Sequence, residues 1–334
     1  MSTLSPIALS PLLAFMLSVA LLTVALGSGV TRYLAMDRPN QRSLHVQPVP
    51  RIGGIAIVIA TLIAWTLTGT TTRIMMALTA GLAVMSYIDD WKGLSVLLRL
   101  VLHGCAALAL VLFDLAAARQ SVWIAVGLVM FIVWMTNANN FMDGADGLAG
   151  GMAMFGFSAY GVAAWSVAVD SLAATSFAVA AAACGFLLFN FPPAKVFMGD
   201  AGSIPLGFLS AALGIMGWQQ NLWPLWFPVL LFSPFLLDAS VTLARRVIRG
   251  ERFWQAHREH YYQRLIRMGW GHRRTALAEY LLMAAVALSA LLGLRFDVAV
   301  QLSILAAWMT AYIGMMLAID RRWQSFVQAT GAAR

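Results

Sequence analysis

The chain reads as an all-α, polytopic membrane bundle, and three observations predict it. Of its 334 residues 61% are hydrophobic and only 11% are charged, where a soluble domain carries about a quarter charged. Apolar runs close to the roughly 20 residues a spanning helix needs recur from end to end. Lysine and arginine fall almost wholly in alternate loops.

Eleven runs are predicted to span, in chain order. The first, 9–30, follows an N-terminus without a basic region, so it reads as a retained span rather than a cleaved signal peptide. The second, 52–69, follows Pro50-Arg51-Ile52-Gly53-Gly54. The third, 73–88, is short, and Asp89-Asp90 close it. The fourth, 94–113, carries Arg99 near its mouth and His103 four residues on. The fifth, 121–138, leads into Asn137-Ala138-Asn139-Asn140-Phe141-Met142-Asp143-Gly144-Ala145-Asp146-Gly147. The sixth and seventh are 147–169 and 171–191. The eighth, 203–219, is opened by Gly199-Asp200-Ala201-Gly202-Ser203. The ninth, 222–243, holds Pro224, Pro228 and Pro234, so it should bend where the ring removes a donor and crowds the preceding turn. The tenth and eleventh are 276–295 and 298–319.

Alternation puts 31–51, 89–93, 139–146, 192–202, 244–275 and the C-terminal tail on one side. With Arg99 counted there, that side holds 19 of the 22 Lys and Arg residues, and Arg73, Arg119 and Arg295 take the other. The bias predicts a cytoplasmic, basic side with the N-terminus outside and the C-terminus inside. It also accounts for the net charge of +8 without nucleic acid. Residues 1–334 are expected to form a single integral-membrane domain with a cytoplasmic loop at about 244–275. Cys105 and Cys184 both sit in apolar runs and make neither a disulfide framework nor a zinc site.

The acidic residues carry the chemistry. Of 14, six stand at helix mouths or inside an apolar run: Asp89, Asp90, Asp143, Asp146, Asp200 and Asp238. Carboxylates beside hydrocarbon are costly unless paired, hydrated or metal-bound. Adjacent carboxylates such as Asp89-Asp90 suit a hard divalent cation or a proton acceptor. Asn140, Asp143 and Asp146 recur every three residues and would line one face if the segment is helical. The small residues around Asp200 would leave backbone N–H groups free for phosphate at a helix start, and the carboxylate there points to metal bridging. Asp238, one turn after Pro234, is either aimed by a kink at a shared cavity or is a helix-end aspartate reaching the interface.

The 244–275 loop is rich in arginine and holds His257-Arg258-Glu259-His260-Tyr261-Tyr262-Gln263-Arg264. Arginine forks match diphosphate geometry, and histidines add donors near pH 7. A basic loop resting on anionic lipid explains most of the arginines, but not the paired histidines and aromatics. Arg99 is a candidate anion contact. His103 is expected to be a satisfied interior histidine.

Together these strings resemble the polyprenyl-phosphate N-acetylhexosamine-1-phosphate transferases, glycosyltransferase family 4 in the broad sense. The resemblance runs over nearly the whole chain. It rests on Asp37-Arg38-Pro39-Asn40 with Arg42, Ser43 and His45, on Pro50 to Gly54, on Asp89-Asp90, on Asn140 to Gly147, and on Phe197-Met198-Gly199-Asp200-Ala201-Gly202-Ser203. It implies magnesium, with manganese as the alternative, a UDP-N-acetylhexosamine and undecaprenyl phosphate. Asp89 and Asp90 match the family's paired aspartates, and Asp200 matches a magnesium-binding one, with Asp89 as a second ligand. Asn140, Asp143 and Asp146 match its nucleotide-side motif, and Arg99 falls where relatives carry a basic residue. His45, Arg51, Arg258 and His260 would bind substrate. Asp89, Asp90, Asp200 and His257 would be catalytic. Relatives carry a His-x-His-His cluster where this chain has His257-Arg258-Glu259-His260. That variant, with Gly271-His272-Arg273-Arg274, is closest to the enzymes that start O-antigen synthesis.

The expected activity is therefore transfer of a phosphosugar from the UDP-sugar to the lipid phosphate at the cytoplasmic face of a bacterial inner membrane, with UMP released. Relatives raise a homodimer as an option. The rival reading is a cation-coupled transporter, whose aspartates would bind ions near the midplane of broken, repeated helices.

Overall fold

The computed structural model describes residues 5–29, 36–37, 48–114, 121–252 and 257–331. Thirteen α-helices are described: α1 Pro6–Gly27, α2 Gly53–Thr68, α3 Arg73–Lys92, α4 Val96–Phe113, α5 Val122–Phe141, α6 Leu148–Ser166, α7 Asp170–Asn190, α8 Asp200–Gln219, α9 Trp226–Leu231, α10 Ser233–Ile248, α11 Tyr261–Leu265, α12 Gly271–Gly293 and α13 Val298–Thr330. A π-helical turn, Ile266–Trp270, joins α11 to α12. Two two-residue strands, β1 Met36–Asp37 and β2 Val49–Pro50, pair antiparallel.

Each of the eleven expected runs is helical, and the chain is an all-α polytopic membrane protein. Among the described residues eight helical segments are long and apolar enough to cross a bilayer, fewer than the eleven expected. Apolar α2 has only 16 residues, and α3 ends in Asp89, Asp90 and Lys92, which lower its apolarity. The proline-rich ninth run is broken, as its prolines predict. Its α9 stops at Leu231, Phe232 takes a non-helical conformation, and Pro234 lies in the first turn of α10.

The expected 244–275 loop is mostly helix. α10 continues to Ile248, and the chain is helical again from Tyr261. Only 249–252 and 257–260 of the described stretch are irregular. α13 has 33 residues, about 50 Å at 1.5 Å per residue, against a hydrocarbon core of about 30 Å. Its last turns therefore extend past the bundle, where Asp320 meets Arg245 and Arg264.

α7 and α8 form the centre, and both are rich in alanine and glycine. In lipid no hydrophobic force draws helices together, so small residues that let backbones approach do the packing. Two such approaches position the site. A Cβ on Gly207 of α8 would press on the Met135 carbonyl and Thr136 Cα of α5, each at 2.8 Å. A Cβ on Gly54 of α2 would overlap the backbone of Gly202. The Gly53 and Gly54 amides donate to the carbonyls of Phe197 and Met198 at 2.9 Å. α2 and α5 thus clamp the first turns of α8.

Candidate active site

The helix ends that the loop alternation placed on one side do converge. Arg51, just before α2, donates to Asp37 of β1 at 2.9 Å and to Asp90 at the end of α3 at 3.1 Å. Asp90 Oδ2 accepts the Asp200 amide at 3.1 Å. Arg99, in the first turn of α4, pairs with Asp89 at 3.0 Å and with Asp200 at 3.6 Å. Asn140, in the last turn of α5, donates to Asp200 at 3.5 Å and accepts from the Ser203 hydroxyl at 3.1 Å.

Four oxygens of the Asp89-Asp90 pair are already engaged. Asp89 Oδ1 accepts the Leu94 amide at 2.6 Å and Oδ2 takes Arg99. Asp90 Oδ1 takes Arg51 and Oδ2 the Asp200 amide. The pair therefore holds two guanidinium groups and a helix start in place.

Asp143 differs. It lies in the turn after α5, and its carboxylate has no hydrogen-bond or ion-pair partner among the described residues. Burial first, and then the neighbouring Asp200, push its pKa well above the usual carboxylate range. Five carboxylates, Asp37, Asp89, Asp90, Asp143 and Asp200, surround two guanidiniums, Arg51 and Arg99. No three acidic, histidine or cysteine side chains are already gathered around one point among the described residues. A hard cation that keeps its waters and shares substrate phosphate needs only one or two carboxylates. The oxygen-rich donor set and the excess negative charge fit such an ion.

α5 ends at Phe141, so Asn140, Asp143 and Asp146 do not share a helical face. Asp146 turns away from the cluster. Its carboxylate pairs with His272 at 3.2 Å and accepts the Ala194 amide at 3.1 Å. Beside it the Gly147 amide donates to Asn190 and the Gly147 carbonyl accepts from Tyr280, both at 2.8 Å. Asp146 and Gly147 thus tie the 142–147 turn to α12, to the end of α7 and to the segment after it. His45, with the 38–43 part of its motif, lies outside the described residues.

The histidine segment faces the cluster across a cavity. Asp238 organises it, and neither sequence-level option for this residue describes what it does. It is 5% exposed and accepts the amides of Tyr261 at 3.0 Å and Tyr262 at 3.2 Å, with the His260 ring at 3.1 Å. A buried carboxylate at a helix N-terminus satisfies donors that would otherwise be orphaned. The His257 and His260 rings lie 4.8 Å apart. Burial first, then His260 and Arg246, lower the His257 pKa to about 4, so the ring is neutral at pH 7. Glu259 would be raised by burial, but Arg249 and Arg246 more than offset this and lower it. Arg258 is half-buried, and its carbonyl accepts from Arg267 at 3.3 Å.

The cavity has a volume of about 540 Å³. Asp200, Arg99, Asn140, His257, His260 and Gln263 line its polar end. Val96, Leu100, Met130, Val133, Trp134 and Leu243 line the rest. Met130 is 65% exposed and Leu100 47%, so the cavity's apolar wall reaches the surface that faces lipid. His103 also lines the cavity. Asn137 of α5 meets its ring, but the imidazole is only partly the satisfied interior histidine expected, because a buried ring nitrogen has no hydrogen-bond partner.

Sequence reasoning missed the roles of Asp238, Asp320, His272 and Ser203. Asp238 left a signal, a carboxylate inside an apolar run. The other three pair with residues 56 to 126 positions away, and no local pattern announces such contacts.

Residues 72–218 match the family model described as glycosyl transferase family 4. The chain is 30% identical to a probable undecaprenyl-phosphate N-acetylglucosaminyl 1-phosphate transferase of Bacillus subtilis, over 90% of this chain and 88% of that protein. It is 31% identical to a decaprenyl-phosphate N-acetylglucosaminephosphotransferase of Mycobacterium tuberculosis, over 80% of this chain and 78% of the relative. An undecaprenyl-phosphate alpha-N-acetylglucosaminyl 1-phosphate transferase of Yersinia pestis is 28% identical, with 93% and 90% covered.

Proposed function

The chain belongs to glycosyl transferase family 4, and from that membership we propose that it transfers an N-acetylhexosamine-1-phosphate from a UDP-sugar to undecaprenyl phosphate, with release of UMP. The observation that carries the reading is the cavity's mixed lining. Asp200 and Arg99 bring the acidic cluster to one part of its wall, and apolar side chains that reach the lipid-facing surface line much of the rest. An amphiphile with one phosphate head fits that shape. The soluble nucleotide would arrive at the polar end, beside His257 and Arg258. The location is the cytoplasmic face of a bacterial inner membrane, in agreement with the placement of the basic residues. The product would initiate O-antigen or a related cell-envelope glycan.

In this reading an acceptor phosphate oxygen bonds to the sugar-bearing phosphorus of the donor. The bond from that phosphorus to the bridging oxygen breaks, and UMP carries the electron pair away. Attacker and leaving group are both phosphates, so charge neutralisation and in-line positioning dominate the catalysis. A phosphate monoester with a second pKa near roughly 6 is mostly dianionic at pH 7, and the demand for a base is weak. Arg99 and Arg51, held by Asp89 and Asp90, offset the phosphate charge. The engaged oxygens of that pair favour direct attack over an aspartyl-phosphate intermediate. Asn140 hydrogen-bonds the nucleotide sugar, and neutral His257 donates from a ring nitrogen. Asp200 and Asp143 would hold the divalent cation, magnesium or manganese, which would offset diphosphate charge and clamp its oxygens.

The test uses purified protein in nanodiscs with undecaprenyl phosphate and a panel of UDP-N-acetylhexosamines. UMP release matched by sugar in the organic-extractable fraction is the expected result. UMP release without a lipid-linked product, or no turnover with any donor, would overturn the assignment.

A further inference from the structure

His103 is 3% exposed and lines the cavity, yet a buried ring nitrogen is left without a hydrogen-bond partner. A neutral imidazole offers one donor and one acceptor, and each buried polar group left unpaired costs about 1–3 kcal/mol. Asn137 of α5 shares a side-chain hydrogen bond with the ring and also donates to the Val133 carbonyl at 2.7 Å, so it can satisfy one ring nitrogen and not both. The ring is thus built to meet something that enters the cavity.

Its depth says what. His103 stands four residues beyond Arg99 on the same face of α4, about 6 Å further along the helix axis. That direction leads away from the acidic cluster and deeper into the bundle, where Met130 of α5 lines the cavity and faces lipid. A soluble nucleotide bound at the polar end has no reason to reach this level. The junction between a phosphate head and its hydrocarbon chain does, and it presents hydrogen-bond acceptors. We propose that His103 is a binding residue for the lipid acceptor, donating a ring N–H to its phosphate where the phosphate joins the chain. The inference rests on reading the cavity as the acceptor's site.

The experiment compares His103→Leu and His103→Gln with wild type in nanodiscs, varying undecaprenyl phosphate and UDP-sugar in turn. Leucine fills the space without a polar atom, and it should raise the acceptor KM about tenfold, the worth of one hydrogen bond to a charged group. The UDP-sugar KM should not move, and glutamine should recover most of the loss. The melting temperature of His103→Leu should stay close to wild type, since removing an unpaired buried nitrogen offsets the loss of the Asn137 contact. An unchanged acceptor KM, or an equal rise for both substrates, would overturn the inference. Photolabelling with a benzophenone-bearing polyprenyl phosphate separates it from the reading beneath. Wild-type label outside the Met130–Trp134 stretch would overturn both. Label in that stretch, equally strong in His103→Leu, would overturn the role of His103 alone.

Discussion

The backbone amide of Asp200 donates to the side chain of Asp90 at 3.1 Å, so the last turn of α3 caps the first residue of α8. One carboxylate thereby sets the position of another. Asp90→Asn keeps an oxygen to accept the amide but loses the charge that pairs with Arg51. Turnover should fall about 100-fold, as when an oriented charged contact is removed. The melting temperature should fall less than in Asp90→Ala, which abolishes the cap. Equal thermal losses in the two variants would show that capping is not what Asp90 supplies.

Gly54→Ala probes the clamp on the same helix start. The added Cβ would overlap the backbone of Gly202, and neither helix can yield without shifting Asp200. The expected cost is about 1–3 kcal/mol of stability, typical of overpacking, with loss of turnover. Gly81→Ala on α3 meets nothing within 4 Å and should be neutral or slightly stabilising. Comparable losses in the two variants would remove the clamp from the account.

Asp143 should trade stability for function. Its folded pKa lies well above the unfolded value of 3.8, through burial and then Asp200. The folded state therefore binds more protons over that interval, and the group's contribution to stability falls as pH rises through it. Asp143→Asn removes the dependence. In the presence of chelator its melting temperature should match wild type near pH 4 and exceed it increasingly toward pH 8, while turnover is lost. A stability difference that does not change with pH would refute the electrostatic origin.

Asp320 should act at a distance. It accepts from Arg264 at 2.7 Å and Arg245 at 2.9 Å, and so ties the end of α13 to the helix that follows His260. It touches neither the acidic cluster nor the cavity. Asp320→Asn should raise the UDP-sugar KM and leave the acceptor KM unchanged, because only the histidine segment loosens. Hydrogen exchange of residues 257–265 should accelerate in the same variant. Unaltered exchange together with an unaltered donor KM would leave Asp320 without a positioning role.

The sequence by itself determined the class of fold and the chemistry of the site. Apolar runs of bilayer length leave a chain no other way to satisfy its backbone than as helices. Carboxylates at the mouths of those runs are costly unless paired, hydrated or metal-bound, so Asp89, Asp90, Asp143 and Asp200 could be read as a site before any contact was known. Tertiary structure alone decided which partners they have. Asp146 and Asp143 are equivalent by spacing, but the helix ends at Phe141 and the turn sends one to His272 and the other toward Asp200. Asp238 and Asp320 are legible as charges in unlikely places, but their use in holding the histidine segment depends on α10 and α13 meeting residues far along the chain. The same holds for His103, whose unpaired ring nitrogen remains because α5 brings only Asn137 to it across the cavity. Burial and periodicity are local properties of a sequence. Pairing is a property of which helix ends meet, and close backbone approaches such as Gly54 on Gly202 settle that only in three dimensions.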